Sequence, residues 1–134
     1  MIVRLNTALR NLILNAILLS GGAIEYYDGV MPAGGDNIPT GSLLSTIILP
    51  VGATNPASAG SMTKTAADWA DVSVDLGGVV SYVKIKNSDG TLWMYMDVSD
   101  LAGSGAVKMS STTVLLGELL LVTNFALTMP ESTP

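Results

Sequence analysis

The stretch Gly78–Val98, which reads GVVSYVKIK-NSDG-TLWMYMDV, predicts a β-hairpin. Two runs rich in β-branched and aromatic residues flank a polar tip that ends at Gly90, and glycine takes a positive φ without steric cost. Successive side chains of a strand point to opposite faces, so Lys84 and Lys86 are expected to face solvent. The residues expected to face the core are Val79, Ser81, Val83 and Ile85. The hairpin is therefore predicted to be buried on one face.

Residues 2–19 predict an amphipathic α-helix, which we place in an N-terminal segment of residues 1–20. Apolar residues recur at spacings of three and four, and the pair Gly21–Gly22 is a natural stop. The favoured interpretation is that the apolar stripe packs on the protein or on a partner. The stripe comprises Leu5, Leu9, Leu12, Ile13, Ala16 and Ile17.

The same segment has two other interpretations, a signal peptide and a membrane span. A basic start, an apolar run and then small residues are typical of a signal peptide. Arg10, Asn11 and Asn15 interrupt the apolar run at helical spacing, which disfavours both alternatives.

The rest of the chain predicts short strands separated by turns rich in glycine and proline. In the last strand, alternate residues from Leu119 to Phe125 and on to Met129 share one parity, which is typical of a long strand. One helix followed by about eight short strands predicts a mainly β fold, an antiparallel β-sandwich that is jelly-roll-like. We assign this domain to residues 21–129 and a short tail to residues 130–134. The other strands are expected at residues 23–28, 43–49, 70–76, 106–111 and 114–116.

Charged residues make up only 13% of the chain, about half of the usual proportion of roughly 25%. This scarcity predicts that other subunits cover part of the surface, most simply in a homo-oligomer. A surface rich in uncharged small polar residues is the alternative. The net charge is −5 and the six basic residues are scattered. Neither nucleic acid nor an anionic membrane is therefore an expected partner.

The chain has no histidine and no cysteine. This removes disulfides, thiolate nucleophiles, the usual zinc ligands and the side chain most used for proton transfer near neutral pH. The run Gly34-Gly35-Asp36-Asn37 lacks the spacing and the lysine of a phosphate loop. We therefore predict a protein that is not an enzyme, with no catalytic residues, no cofactor and no metal.

Carboxylates are the remaining candidates for chemistry. Glu25 with Asp28, and Asp97 with Asp100, are the nearest pairs in sequence, and we interpret them as solvent-facing strand ends. A calcium site formed by Asp89, Asp97 and Asp100 is a weaker alternative, because hard cations take oxygen ligands.

Large amphipathic side chains indicate where a partner would bind. Trp93 and Tyr95 lie on the parity opposite the predicted core face, and such residues are common anchors of protein interfaces. Together with Leu9 and Ile13 of the helix, they form our predicted partner interface. Trp69 precedes a strand and is expected to plug the end of the core.

The order of several short motifs resembles that of small virion proteins of tailed bacteriophages. After the helix come AIEYYDGVMPA at Ala23–Ala33 and PTGSLLSTIIL at Pro39–Leu49, followed by Gly78–Val98 and then Val114–Met129. Within that group the chain is similar to capsid decoration, or cement, proteins of jelly-roll type. The motifs specify turns and strands, and they carry no catalytic residue.

The resemblance implies a passive mechanical role on the outer surface of a capsid. The protein would be made in the host bacterial cytoplasm and would bind the major capsid protein and itself, as a homotrimer at threefold positions. One alternative is a phage tail component, such as a tube, fibre-base or adaptor subunit. Another is a glycan-binding β-sandwich that uses Trp93, Tyr95 and Asp97.

Overall fold

The computed structural model describes residues 1–17 and 19–132. In these ranges the chain forms one short helix and ten strands, most of them short. The elements are α1 (Thr7–Asn15), β1 (Ala23–Tyr27), β2 (Leu43–Ile48), β3 (Ser61–Thr63), β4 (Trp69–Asp71), β5 (Gly78–Val79), β6 (Tyr82–Lys86), β7 (Trp93–Asp100), β8 (Val107–Met109), β9 (Thr113–Val114) and β10 (Leu120–Thr128). The prediction of a mainly β fold behind an N-terminal helix is confirmed.

The main sheet has eight strands and curls around the core. Its order is β2-β1-β6-β7-β8-β10-β3, and β4 pairs with β10 as well. β2, at one edge, contacts β4, and Ser45 Oγ donates a hydrogen bond to a carboxylate oxygen of Asp71 at 2.5 Å. The two ends of the sheet therefore approach each other, and the sheet forms a half-barrel. β5 and β9 form a separate pair.

The sheet is mixed, so the prediction of a wholly antiparallel arrangement is wrong. β7 and β8 run parallel, with Val98 opposite Val107. The connection folds back along β7, since Ala106 N–H donates to Asp97 Oδ1 at 3.0 Å and Gly105 N–H donates to Ser99 Oγ at 2.9 Å. β8 therefore begins beside Val98 and runs along the last three residues of β7 in the same direction. The sandwich layering and the jelly roll are not confirmed.

The predicted hairpin is confirmed as β6 and β7. The two strands pair antiparallel, and Gly90 in the turn has a φ of +75°. Val83 and Ile85 are buried as predicted, but Val79 and Ser81 are exposed. The alternation fails there because the first run is not one strand: β5 pairs with β9, and β6 begins only at residue 82.

The face of the hairpin that was predicted to meet solvent is partly covered. Tyr82 is buried, and Lys84 and Lys86 are half-buried. The hydroxyl of Tyr82 donates to the carbonyl oxygen of Thr40 at 2.7 Å and accepts from the N–H of Thr40 at 2.8 Å. The segment 29–42 therefore lies over this face.

The strand predicted at residues 70–76 is mostly absent. β4 ends at Asp71, whose Oδ1 accepts the N–H of Ser73 at 3.0 Å and so turns the chain. The N–H groups of Asp75 and Leu76 both donate to the carbonyl of Leu44 at 3.1 Å. The segment with the alternating residues is therefore not a strand. It forms a turn after Asp71 and is then hydrogen-bonded to Leu44 of β2.

The last strand is long, as predicted, but its buried face changes along its length. Leu120 and Val122 are buried and Leu121 is exposed, whereas Phe125 is buried again. The pairing with β8 shifts register between Val122 and Asn124. This β-bulge adds one residue and switches the parity of the strand.

The helix is shorter than the predicted range of 2–19. Asn6 caps it, since its side-chain oxygen accepts the N–H of Leu9 at 2.9 Å. Before the cap the chain is held extended, because Leu5 N–H donates to the carbonyl of Glu131 at 2.6 Å and Arg4 forms a β-bridge with Ser132. The predicted range also includes Leu18, and the predicted tail includes residues 133–134; these three lie outside the described residues.

Within the described ranges, no helix has the length and apolar character needed to cross a membrane. A span needs about 20 residues, and α1 has nine.

The core lies between the curled sheet and the segments that close it. Trp69 is fully buried, as predicted, and packs against Phe125 with ring centroids 5.1 Å apart. Leu14 is the buried residue of α1. The largest fully buried side chains also include Tyr26, Tyr82, Ile24, Leu44, Ile47, Leu49, Ile85 and Met109.

Candidate interaction surface

One end of the molecule is built from two segments, residues 69–79 and 113–122, that run side by side. β5 pairs with β9, and β4 pairs with the start of β10. Between these pairs, Val74 N–H donates to the carbonyl of Glu118 at 2.9 Å, and Gly117 N–H donates to the carbonyl of Val74 at 2.8 Å. The segments are tied together along their length.

A tight turn presents the leucines of the second segment. Glu118 N–H donates to the carbonyl of Leu115 at 3.1 Å, and Leu115 N–H donates to Glu118 Oε1 at 2.8 Å. Gly117 takes a φ of +82°, as the third position of a type II turn requires. The turn satisfies these backbone groups locally and leaves Leu116 at its tip, where the side chain is 73% exposed.

These segments carry a concentration of exposed aliphatic side chains. Soluble monomers rarely expose contiguous apolar patches larger than a few hundred Å². We call this set the leucine surface; it comprises Val72, Leu76, Val79, Leu115, Leu116, Leu119 and Leu121. The number and the exposure of these side chains make the leucine surface the main candidate for an interaction surface.

The charge around the leucine surface is acidic. The two segments contain Asp71, Asp75 and Glu118, and they contain neither lysine nor arginine. Asp75 is exposed, whereas Asp71 and Glu118 are half-buried and accept hydrogen bonds from Ser45 and Leu115. An apolar partner with basic groups at its margin would complement this surface.

The helix is attached to the rest of the protein mainly through its polar face. Asn11 Oδ1 accepts the N–H of Gly60, and Asn15 Oδ1 accepts the N–H of Ala57, both at 2.8 Å. Arg10 Nη1 donates to the carbonyl of Met129 at 3.4 Å. The residues that interrupt the apolar stripe in sequence are thus the ones that face the protein.

The apolar stripe of the helix consequently faces outward. Leu9, Leu12 and Ile13 are exposed, with Leu12 at 66%. We call these three residues the helix stripe. Of the two predicted positions, these three residues do not occupy the protein's own core, where Leu14 lies instead. Contact of Leu9 and Ile13 with a partner remains a prediction.

The other two predicted interface residues contact the protein's own loop. Trp93 Nε1 donates to the carbonyl of Gly35 at 2.8 Å, and the hydroxyl of Tyr95 donates to the carbonyl of Asn37 at 2.6 Å. Burial is the main reason that the pKa of Tyr95 is raised. The Lys84 ammonium lies 4.7 Å from the ring centroid of Trp93.

The four predicted interface residues occupy two different places. α1 packs beside β3, whereas Trp93 and Tyr95 lie on β7, and β8 and β10 separate these two strands in the sheet. Trp93 is still 39% exposed, and Tyr95 is half-buried.

The candidate carboxylates are used in local hydrogen bonds. Asp89 Oδ1 accepts from the hydroxyl and the N–H of Thr91, and these bonds lower the pKa of Asp89. Asp97 and Asp100 accept from backbone N–H groups of residues 102–106.

The first carboxylate pair is also engaged separately. Glu25 forms an ion pair with Lys86 at 3.3 Å, and Asp28 Oδ1 accepts the N–H of Ser42 at 2.6 Å. Across the described residues, no group of three or more acidic side chains is placed to hold a metal ion.

Sequence reasoning missed the leucine surface. The prediction placed Leu119 and Leu121 on the same face as Phe125. The β-bulge between Val122 and Asn124 reverses the parity, and the alternation of residue types in the sequence does not show it. The available signal was the run Leu115-Leu116-Gly117-Glu118-Leu119, in which a glycine within a leucine-rich stretch is typical of a turn.

Comparison of the chain with protein-family models, with curated proteins and with solved structures gives no match.

Proposed function

We propose that this protein is a non-enzymatic structural subunit of a tailed-bacteriophage particle, a decoration protein that stabilises the capsid shell from outside. The observation that carries the proposal is the leucine surface, an exposed aliphatic area supported by paired strands and a tight turn. The sequence resemblance supplies the class of assembly. The jelly-roll arrangement of such proteins belongs to the same proposal, and the mainly β fold supports it.

The leucine surface is the part that docks on the shell, and its partner is the major capsid protein. If two leucine surfaces met face to face, Asp75 and Glu118 of one copy would approach those of the other. Like charges brought together in this way are unfavourable. A different protein with an apolar area and basic margins would bury the aliphatic side chains and pair its basic groups with the acidic border.

The helix stripe is the contact between copies. Arg10 is the one charged residue of α1, and it is turned toward the protein, where it bonds to Met129. The outward face is therefore apolar and uncharged, so identical faces can meet without repulsion. We propose a homotrimer in which three helix stripes surround the threefold axis.

The outer face of the shell is the location that the charge supports. A net charge of −5 opposes contact with the phosphates of a packaged genome. The proposal accordingly includes neither nucleic acid nor membrane as a partner, and it places synthesis in the host bacterial cytoplasm.

A decoration protein stabilises the state that it binds, by mass action. Particles produced from a genome with this coding sequence deleted are expected to assemble but to release their DNA at a lower temperature than the parent. Adding the purified protein back should restore the parent's release temperature. A DNA-binding dye followed during a thermal ramp measures both.

Addition of a Leu116→Asp, Leu119→Asp variant is the matched control, and it should not restore heat resistance. Deletion particles that resist heating like the parent, but fail to join heads to tails or to adsorb to cells, would reject the decoration role. That result would favour a tail component.

A further inference from the structure

A cleft of about 520 Å³ lies on the main sheet. Its lining comes from residues 63–65, residues 104–106, Lys108 and residues 123–126, so it sits over β10 between β3 and β8. Sites for small molecules typically enclose about 300–1,000 Å³. The cleft is therefore large enough for a ligand of monosaccharide size.

The β-bulge of β10 shapes the floor of this cleft. The register shift makes Thr123 the extra residue, and both Thr123 and Asn124 are exposed. Bulges redirect side chains in this way, often next to binding sites. Among the described residues, neither side chain has a hydrogen-bond partner, so two adjacent polar groups are available at the floor.

Two lysines line the same cleft with their ammonium groups held in place. Lys64 Nζ donates to the carbonyls of Thr65 at 3.0 Å and Ala67 at 2.6 Å, and Lys108 Nζ donates to the carbonyl of Gly103. An ammonium has three donors, so Lys108 keeps at least one for a ligand. Lys64 keeps one beyond its two carbonyl contacts, and its ammonium also lies 5.8 Å from the ring centroid of Trp69. Within the described part of the chain, neither lysine forms an ion pair.

The lining of the cleft is basic, whereas the protein as a whole is acidic. The chain has eleven acidic and six basic residues, yet two of the basic residues line this cleft and no acidic residue does. Carbonyl contacts alone do not neutralise an ammonium, so the lining itself carries positive charge beside uncharged hydroxyl and amide groups. A carboxylate next to the lining, that of Asp97, accepts the N–H of Ala106.

We propose that this cleft binds an acidic sugar or a sugar phosphate. The oxyanion pairs with Lys64 and Lys108, and the sugar hydroxyl groups form hydrogen bonds with Thr123 and Asn124. None of the residues that line the cleft belongs to the leucine surface or to the helix stripe, although Leu121 lies only two residues from Thr123 on β10. This proposal therefore does not rest on the proposed function.

Isothermal titration calorimetry of the full chain tests the ligand class. The probes are glucuronate, glucose 6-phosphate, neutral glucose and inorganic phosphate. At least one of the two anionic sugars should bind about tenfold more tightly than glucose, since a charge-assisted hydrogen bond contributes that much. That binding should weaken as salt is added. Comparison of glucuronate with glucose 6-phosphate shows whether the cleft prefers a carboxylate or a phosphate. Inorganic phosphate binding as tightly as both sugars would contradict the sugar part of the proposal.

Three variants place the binding in the cleft. Lys108→Gln and Lys64→Gln should each weaken binding about tenfold. Asn124→Asp keeps the shape of an exposed side chain but adds a negative charge, so it should abolish binding without affecting folding. Lys84→Gln, on β6, is the control and should bind like the parent.

Two results would overturn the proposal. One is a parent protein that binds neither anionic sugar. The other is binding that survives Asn124→Asp, or that falls as much in Lys84→Gln as in Lys108→Gln.

Discussion

The hydroxyl group of Tyr26 is a buried polar group that opposes folding. Tyr26 is fully buried, and the described residues offer its hydroxyl no hydrogen bond. An unsatisfied buried group costs about 1–3 kcal/mol. Burial also raises the pKa of Tyr26 above its ordinary range, because the phenolate would lose its hydration.

Tyr26→Phe is therefore expected to stabilise the protein by about 1 kcal/mol, because it removes the unsatisfied oxygen and keeps the ring. A gain of that size corresponds to a rise in Tm of roughly 3–6 °C for a chain of this length. Differential scanning calorimetry at pH 7 measures it. A fall in Tm would mean that the hydroxyl has a partner, such as a buried water.

The same variant should change how stability depends on alkaline pH. The pKa of Tyr26 in the folded protein lies above the unfolded value of about 10. Above about pH 10 the unfolded state therefore loses this proton first. The free energy of unfolding is unaffected by the ionisation of Tyr26 below that pH and falls as the pH rises further. The parent's unfolding free energy should therefore fall more steeply above about pH 10 than the variant's, by up to about 1.4 kcal/mol per pH unit. Tyr27, whose pKa is also raised by burial, keeps some of the slope in both proteins.

At the scale of elements, the segment 29–42 acts as a closed loop over the hairpin. Its ends are tied, since Asp28 N–H donates to the carbonyl of Ser42 at 3.3 Å. Gly41 has a φ of +78°, and a Cβ there would lie 2.3 Å from the backbone nitrogen of Gly29. The two glycines therefore allow the ends of the loop to approach closely.

Gly41→Ala should destabilise the protein by more than about 2 kcal/mol, because the left-handed conformation alone costs an alanine about 1–2 kcal/mol. Gly35→Ala is the matched control: its Cβ would meet nothing within 4 Å, and we expect a change within about 0.5 kcal/mol. Urea denaturation followed by tryptophan fluorescence measures both. Equal stability of the two variants would show that the loop is not closed at Gly41.

The sequence predicted elements well where one local pattern governs one face. Val83 and Ile85 alternate with residues of another face, and Gly90 supplies the turn, so the hairpin followed from local chemistry. Val79 was misplaced because its strand pairs with β9, which is distant in sequence. No alternation within one segment can reveal such a pairing.

The helix and the candidate surfaces were harder to predict for a related reason. Periodicity identified the stripe of Leu9, Leu12 and Ile13, but the hydrogen bonds of Asn11 and Asn15 to residues 57–60 decide which face is turned inward. The bulge of β10 is likewise a property of its pairing with β8. It hides the outward position of Leu119 and Leu121 from any analysis of parity.

At the scale of the whole molecule, two exposed apolar surfaces differ in charge. The leucine surface has an acidic border that includes Asp75, whereas α1, which carries the helix stripe, has no charged residue other than the inward-turned Arg10. In the proposed function, the first docks on the shell and the second forms the contact between copies. These roles are separable, because α1 contacts β3 and belongs to neither segment of the leucine surface.

The measurement that tests this account most directly is co-sedimentation of the purified protein with particles that lack it, beside its mass in solution. The parent should be a trimer and should bind the particles. The variant Leu116→Asp, Leu119→Asp should stay a trimer but bind more than about tenfold more weakly, because truncating or charging a central apolar anchor has effects of this size. Leu12→Asp, the control on the helix stripe, should lose the trimer.

Circular dichroism should show parent-like folding in both variants, since the changed side chains are exposed. The account is contradicted if the leucine-surface variant co-sediments as fully as the parent, or if the parent itself binds no particle.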